Sequence, residues 1–367
     1  MTARGTTVAH INRIGTAVPD NDIHESFIAF ARTLLADEKT KSVFDRMAER
    51  AGIGHRFSFL RAGNLEAGEV DAEGFYRRGR FPDTAARMAL YETQALALAL
   101  RAVEALGLAA ERARITHLVV ASCTGFTAPG LDLQLAERLA LRPDVERTIV
   151  GFMGCSAAVP ALRMAHHIVR SDPSARVLVV NLELCTLHMQ ETSDIETVLS
   201  FLLFGDGCAA ALVTADPTGI ALDDFRAAII PDSQDLITWH IGGQGFLMHL
   251  SGKVPGRIAQ ALRDELQNAA PEGILRGKGT RAIDLWAVHA GGRTVLDAVE
   301  IGLELEPASL RLSREVLHAH GNMSSATVMF VLQRMMRAPA GSGRRGLAMA
   351  FGPGMVAETF RFHLLGH

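Results

Sequence analysis

Short, almost wholly apolar runs alternate with amphipathic stretches along most of this 367-residue chain. Ile115–Ser122, Val177–Asn181 and Cys208–Val213 are too short for core helices and lack a polar face, so they read as buried strands separated by helical segments. Pro82-Asp-Thr84 has the chemistry of a helix start and predicts a long Ala-rich amphipathic helix running to about Leu108. The pattern pauses at Asp216-Pro-Thr-Gly219. A second series follows, with helices predicted over Ile258–Ala270 and Ser324–Met335 and strands over Ile283–Val288 and Leu347–Phe351. Alternation of this kind predicts a layered α/β architecture of two halves, 1–222 and 223–367, although direct similarity between the halves is weak. Residues 1–80 mix polar helix-like pieces with short apolar ones. Ala338–Arg345, rich in Gly, Pro and Arg, reads as a surface connection.

Composition narrows the classes of function. A chain this long and 48% hydrophobic can bury a large core. Lys and Arg number 37 against 40 Asp and Glu, which leaves no polycationic face for nucleic acid. The N-terminal residues lack the apolar core of a signal peptide, and no apolar run approaches the roughly 18 residues of a membrane span, so a soluble cytoplasmic protein is expected. The four cysteines, at 123, 155, 185 and 208, are far apart and include no CxxC pair, which argues against a zinc site or a disulfide framework and for thiol chemistry. His166-His167 and the His318/His320 pair have no carboxylate or cysteine beside them to complete a coordination set, so no metal is expected. No Gly-x-Gly-x-x-Gly or Walker pattern points to nucleotide chemistry.

Three residues at element boundaries carry the candidate chemistry. Cys155 follows an apolar, strand-like run and precedes a helix-like one, where unsatisfied N–H groups and the positive end of a helix dipole favour the nucleophilic thiolate. His289 ends the apolar run Leu285-Trp-Ala-Val. Asn322 lies in the small-residue turn Gly321-Asn-Met-Ser-Ser-Ala326, ahead of another apolar run.

With these segments in view, the chain resembles the type III polyketide synthases, the chalcone-synthase-like branch of the thiolase superfamily, in its bacterial form. The resemblance rests on Gly154-Cys155, His289-Ala-Gly-Gly, Gly321-Asn-Met-Ser-Ser-Ala326 and Ala350-Phe-Gly-Pro-Gly354, supported by Cys123-Thr-Gly125, Leu203-Phe-Gly-Asp-Gly207 and Val254-Pro-Gly256, and it spans nearly the whole chain. It implies the five-layered αβαβα thiolase fold of two similar halves, a homodimer, acyl-CoA and malonyl-CoA as substrates, and no cofactor.

The same resemblance implies roles for individual positions. Cys155 would carry the acyl group, with His289 acting as an imidazolium beside its sulfur and as a donor to the thioester carbonyl. Asn322 would join His289 in stabilising the enolate formed when malonyl-CoA loses carbon dioxide. Phe204 would gate the junction of coenzyme A tunnel and reaction chamber, with Met248 where plant members have a second phenylalanine. Cys123, Cys185, His188 and Ser324 would line the elongation cavity, and Ala128, in place of an interface-crossing methionine, would leave room in the neighbouring site. Arg46 and Arg50 correspond to coenzyme A phosphate contacts, and Phe351, Gly352, Pro353 and Gly354 form the cyclisation loop, in which Ala350 replaces the usual first glycine. The product is expected to be an alkylpyrone or alkylresorcinol from a medium- or long-chain fatty acyl starter. The alternatives are a malonyl-primed tetrahydroxynaphthalene-type synthase and, with less in its favour, a β-ketoacyl carrier-protein synthase III.

Overall fold

The computed structural model describes residues 7–338 and 343–365, so part of the predicted 338–345 connection lies outside the described residues. In chain order the strands are β1 (Ala9–Ala17), β2 (Asn21–Asp22), β3 (Phe57–Ser58), β4 (His117–Ser122), β5 (Glu146–Gly151), β6 (Val177–Leu184) and β7 (Asp206–Thr214). They continue with β8 (Ile220–Ile229), β9 (Ile237–Gly242), β10 (Gly245–Leu250), β11 (Leu285–Val288), β12 (Arg345–Gly352) and β13 (Val356–Leu364). The helices are α1 (His24–Arg32), α2 (Glu38–Arg50), α3 (Thr84–Leu106), α4 (Leu131–Arg138) and α5 (Ala158–Ser171). After them come α6 (Ile195–Phe201), α7 (Val254–Asn268), α8 (Arg293–Gly302), α9 (Arg311–His320) and α10 (Ala326–Arg337). None is long and apolar enough to cross a membrane among the described residues.

Nine of these strands form one sheet, ordered β11-β12-β13-β8-β1-β7-β6-β4-β5. Its layers follow from the two-residue period of a strand. Val177 and Val179 of β6, with Ala209, Ala211 and Val213 of β7, face a core that also holds α5 and α10. Leu178, Val180 and Leu182, with Cys208, Ala210 and Leu212, face α3 and α4 on the other side. The second half repeats this arrangement. Ala348 and Ala350 of β12 join the α5/α10 core, whereas Leu347, Met349 and Phe351 pack towards α7 and α8. The result is the five-layered thiolase arrangement, with α5 and α10 in the middle layer and alanines on the strands facing them.

Helix α3 begins where the sequence predicts. Asp83 caps it by accepting the Ala86 N–H at 2.8 Å, and Gly107 ends it in a left-handed conformation. The boundary near residue 222 has no linker: residue 222 lies inside β8, which pairs with β1 on one side and β13 on the other. The apolar run before Cys155 is also different from expectation. It is β5, the last strand of the sheet, with Glu146–Ile149 exposed.

Candidate active site

Cys155 sits in a tight turn immediately before α5. Gly154, in a left-handed conformation at φ +56°, packs so closely on the cyclisation loop that a Cβ there would stand 2.5 Å from Pro353 Cδ. Gly352 packs back on the same turn, and its Cβ would meet Ser156 Oγ at 2.3 Å. The Cys155 turn and the Phe351–Gly354 loop are therefore one packed unit, and both positions need glycine.

Asn322 is held by its own turn. Its Oδ1 accepts the Ser324 N–H at 2.8 Å and its Nδ2 donates to the Gly291 carbonyl at 3.1 Å. Those two bonds orient the amide so that Nδ2 stands 4.0 Å from the Cys155 sulfur. Ser324 adopts a left-handed conformation at φ +47°, a backbone strain of the kind stored at functional sites. Its hydroxyl lies 3.3 Å from Cys123 Sγ.

These groups border one cavity of about 820 Å³, counting its mouth. Of the positions singled out in the sequence, Cys123, Cys155, Cys185, Phe204, Met248, His289, Asn322, Ser324, Phe351, Gly352 and Pro353 line it. Gly354 lies outside the wall. His188 does not line it either, and the reason is its bonding: Nε2 donates to the Thr124 carbonyl at 2.8 Å while Nδ1 accepts the Phe246 N–H at 3.0 Å. With both nitrogens occupied and its ring stacked on Phe246 at 4.3 Å, His188 stands behind Trp239 as a support for the wall. Ala128 is exposed on the surface, and Arg46 and Arg50 are exposed on successive turns of α2.

The electrostatics depart from the expected thiolate–imidazolium pair. Cys155 opens onto the cavity, but the cavity is deep in the protein, and desolvation pushes its thiol up to about 11. The Ser324 and Asn322 side chains oppose that shift without cancelling it. Burial lowers His289 to about 3, and neither ring nitrogen has a hydrogen-bond partner among the described residues. Cys155 is thus a neutral thiol and His289 a neutral imidazole, because no carboxylate among the described residues forms an ion pair with His289.

Sequence reasoning missed several groups. Glu183 is fully buried and pushed up to about 7 by desolvation, although it accepts from Ser325 Oγ, from Thr124 Oγ1 at 2.9 Å and from the Cys123 N–H at 3.0 Å. A carboxylate inside the apolar run Val177–Leu184 is the signal that would have found it. Trp239 also lines the cavity and donates to the Cys123 carbonyl at 2.7 Å, but it belongs to a two-stranded hairpin, β9–β10, that carries no strong apolar pattern.

A second, largely apolar cavity, of about 600 Å³ counting its open mouth, adjoins the first. Phe27, Phe30, Leu60, Tyr76 and Met189 border it, and Cys185, Phe201 and Phe204 belong to the walls of both cavities. Arg56 also lines the second cavity.

Models of the chalcone and stilbene synthases match the chain in two blocks, the N-terminal domain over residues 1–217 and the C-terminal domain over residues 222–365. Solved structures agree. PKS-I from the brown alga Ectocarpus siliculosus is 29% identical, with a TM-score of 0.86 over 99% of this chain and 100% of that one. The 1,3,6,8-tetrahydroxynaphthalene synthase of Streptomyces coelicolor A3(2), a bacterial type III polyketide synthase, is 28% identical, with a TM-score of 0.82 over 98% and 100%. The C-terminal type III polyketide synthase domain of Steely1 from Dictyostelium is 25% identical, with a TM-score of 0.84 over 98% and 100%. The chain belongs to the chalcone and stilbene synthase family, the type III polyketide synthases. It is accordingly a condensing, decarboxylating acyltransferase of polyketide biosynthesis.

Proposed function

We propose that the protein loads a medium- or long-chain fatty acyl group from coenzyme A onto Cys155, extends it with malonyl-CoA and releases an alkylpyrone or alkylresorcinol. The observation that carries this reading is the second apolar cavity. It shares Cys185, Phe201 and Phe204 with the reaction cavity and offers an alkyl tail a place beyond the Cys155 thioester.

The neutral resting pair sets the order of proton movements. As the Cys155 sulfur attacks the acyl-CoA carbonyl, neutral His289 takes the thiol proton and passes it to the departing coenzyme A sulfur. One S–C bond forms and another breaks, with no free thiolate accumulating. When malonyl-CoA loses its carboxylate as carbon dioxide, the electron pair moves to the thioester oxygen. The oriented amide of Asn322 stabilises that enolate, joined by His289 in the tautomer that carries its one proton on the nitrogen facing the thioester oxygen. Its carbon attacks the acyl carbonyl, the carbon–sulfur bond to Cys155 breaks, and the sulfur leaves as a thiolate that takes a proton from solvent to restore the thiol. Phe204 keeps water and charge away from the malonyl carboxylate, with Met248 in the same cavity wall as a softer, flexible partner. No cofactor is required for these steps. Arg46 and Arg50 offer two cations for the coenzyme A phosphates.

The active form in this reading is a homodimer. Strand β5 is an open sheet edge, and Ile149 on it, with Phe126 and Met153 nearby, is exposed. A sheet edge with exposed apolar side chains at one end is covered by pairing with another copy. Ala128, exposed two residues from Phe126, would then face the neighbouring chain.

Incubation with malonyl-CoA alone and with a graded series of acyl-CoAs, followed by mass spectrometry of the products, tests the reading. Products primed by fatty acyl chains support it. A naphthalene-type pentaketide from malonyl-CoA alone, with no acyl-primed product, replaces it with the malonyl-primed alternative.

A further inference from the structure

Arg56 is almost entirely buried, yet no carboxylate forms an ion pair with it among the described residues. Its Nη1 donates to the Phe201 carbonyl at 3.0 Å and to the Phe204 carbonyl at 2.7 Å. Its Nε donates to His24 Nδ1 at 3.0 Å, and the guanidinium lies over the Phe27 ring, 4.6 Å from the centroid. An unpaired buried cation is costly, and a neutral side chain that filled the same volume would be easier to accommodate if packing were all that mattered. Guanidinium geometry supplies what a neutral side chain lacks: several donors in one rigid plane.

What Arg56 holds is the shared wall of the two cavities. Phe201 and Phe204 both belong to that wall, and their carbonyls meet on one nitrogen. The same segment grips the enolate donor. Phe204 forms a parallel bridge with Asn322, in which the Asn322 N–H donates to the Leu203 carbonyl at 2.8 Å and the Gly205 N–H donates to the Asn322 carbonyl at 3.0 Å. Gly321, the residue before Asn322, completes the contact. It is left-handed at φ +67°, and a Cβ there would stand 2.8 Å from both Arg56 Cγ and the Leu203 oxygen.

We infer that Arg56 is a positioning residue that sets the Phe204 ring and the Asn322 amide together, so that one guanidinium tunes both the wall between the cavities and the decarboxylation site. Through Asn322, a displacement of the 201–205 segment reaches the place where the malonyl thioester oxygen develops charge. Cys155 meets this path only through the Asn322 side chain, whose Oδ1 lies 3.9 Å from its sulfur. Its turn is anchored instead against Gly352 and Pro353. Arg56 therefore serves enolate formation and chain placement more than acyl loading. This inference rests on the function proposed above.

The test separates three readouts in Arg56→Met and Arg56→Lys: Cys155 acylation by intact-protein mass, malonyl-CoA decarboxylation, and product chain-length distribution. Misplacing a reacting group by about an ångström costs on the order of 10²-fold, so Arg56→Met should lose about that factor in kcat for decarboxylation, with a smaller change in KM. Acylation should stay within about threefold of wild type. The product distribution should shift as the wall loosens, and Arg56→Lys, which keeps the charge and can satisfy one carbonyl, should recover part of the decarboxylation rate. A purely structural role predicts that all rates fall together with the folded fraction. Proportional losses in both variants, or no loss in either, overturn the inference. If Arg56→Met does not fold, Arg56→Lys decides it on the same split between decarboxylation and acylation. Wild-type protein that neither acylates nor decarboxylates would instead sink the proposed function and leave this inference without a reaction to serve.

Discussion

Phe204 and Asn322 are paired across a parallel β-bridge, so the ring in the wall between the cavities and the amide 4.0 Å from the Cys155 sulfur ride on hydrogen-bonded backbone. Neither residue can move far without the other. Phe204 and Asn322 therefore respond together to whatever fills the cavity.

Removing the amide should uncouple loading from extension. Asn322→Ala leaves the Cys155 turn intact, because that turn is packed on Gly352 and Pro353. Loss of one preorganised oxyanion donor costs about 10²–10³ in rate. Malonyl-CoA decarboxylation should fall by that order while intact-protein mass still shows the acyl adduct. Unchanged decarboxylation would take Asn322 out of the mechanism.

The nucleophile should behave as a buried neutral thiol. With Cys155 raised to about 11 and His289 lowered to about 3, carbamidomethylation of Cys155 should accelerate steadily from pH 7 to pH 10. A preformed thiolate–imidazolium pair would give a rate nearly independent of pH over that range. Cys155→Ala should abolish the acyl adduct, and an adduct mapping to Cys123 or Cys185 would reassign the nucleophile.

Filling the shared wall should shorten the accepted starter. Cys185 borders both cavities, and a ring at this position adds several heavy atoms to a packed boundary, which cannot absorb them without strain. Cys185→Phe should load short acyl-CoAs normally and lose the longest ones in a competition assay read by mass spectrometry. An unchanged starter profile would place the alkyl tail elsewhere.

Glu183 should make stability fall with rising pH. Its carboxyl is raised to about 7 from an ordinary value of 4.5, so the folded protein holds the proton more tightly than the unfolded chain. The contribution is fully present below pH 4.5 and is lost as pH rises through about 7. The shift bounds it at roughly 3 kcal/mol. Glu183→Gln lacks this titration, so denaturant melts should favour the variant over wild type more at pH 8 than at pH 5. The same difference at both pH values would show that Glu183 does not titrate in this window.

Local chemistry was enough to read much of the molecule. Asp83 and Gly107 bracket α3 because capping and left-handed glycine are properties of single residues and their nearest neighbours. The buried strands β4, β6 and β7 were visible as unbroken apolar runs, and the motifs around Cys155, His289 and Asn322 pointed to the family and to three side chains that the fold brings to one cavity. Strand β1 was not legible, although it joins the two halves of the sheet. Asn12 and Arg13 interrupt its apolar pattern where its pairing with β7 shifts register.

What only the tertiary structure decided depends on contacts between distant segments. Arg56 acquires its task because residues 201–204 and 321–322 fold against it, which no spacing in the chain encodes. His188 left the cavity wall because Thr124 and Phe246 occupy both its nitrogens. The charge states of Cys155 and His289 were set in the same way. A sequence shows that a thiol and an imidazole are present, but desolvation depends on how much protein closes around them, and here burial outweighs the helix dipole that the sequence alone brought into view.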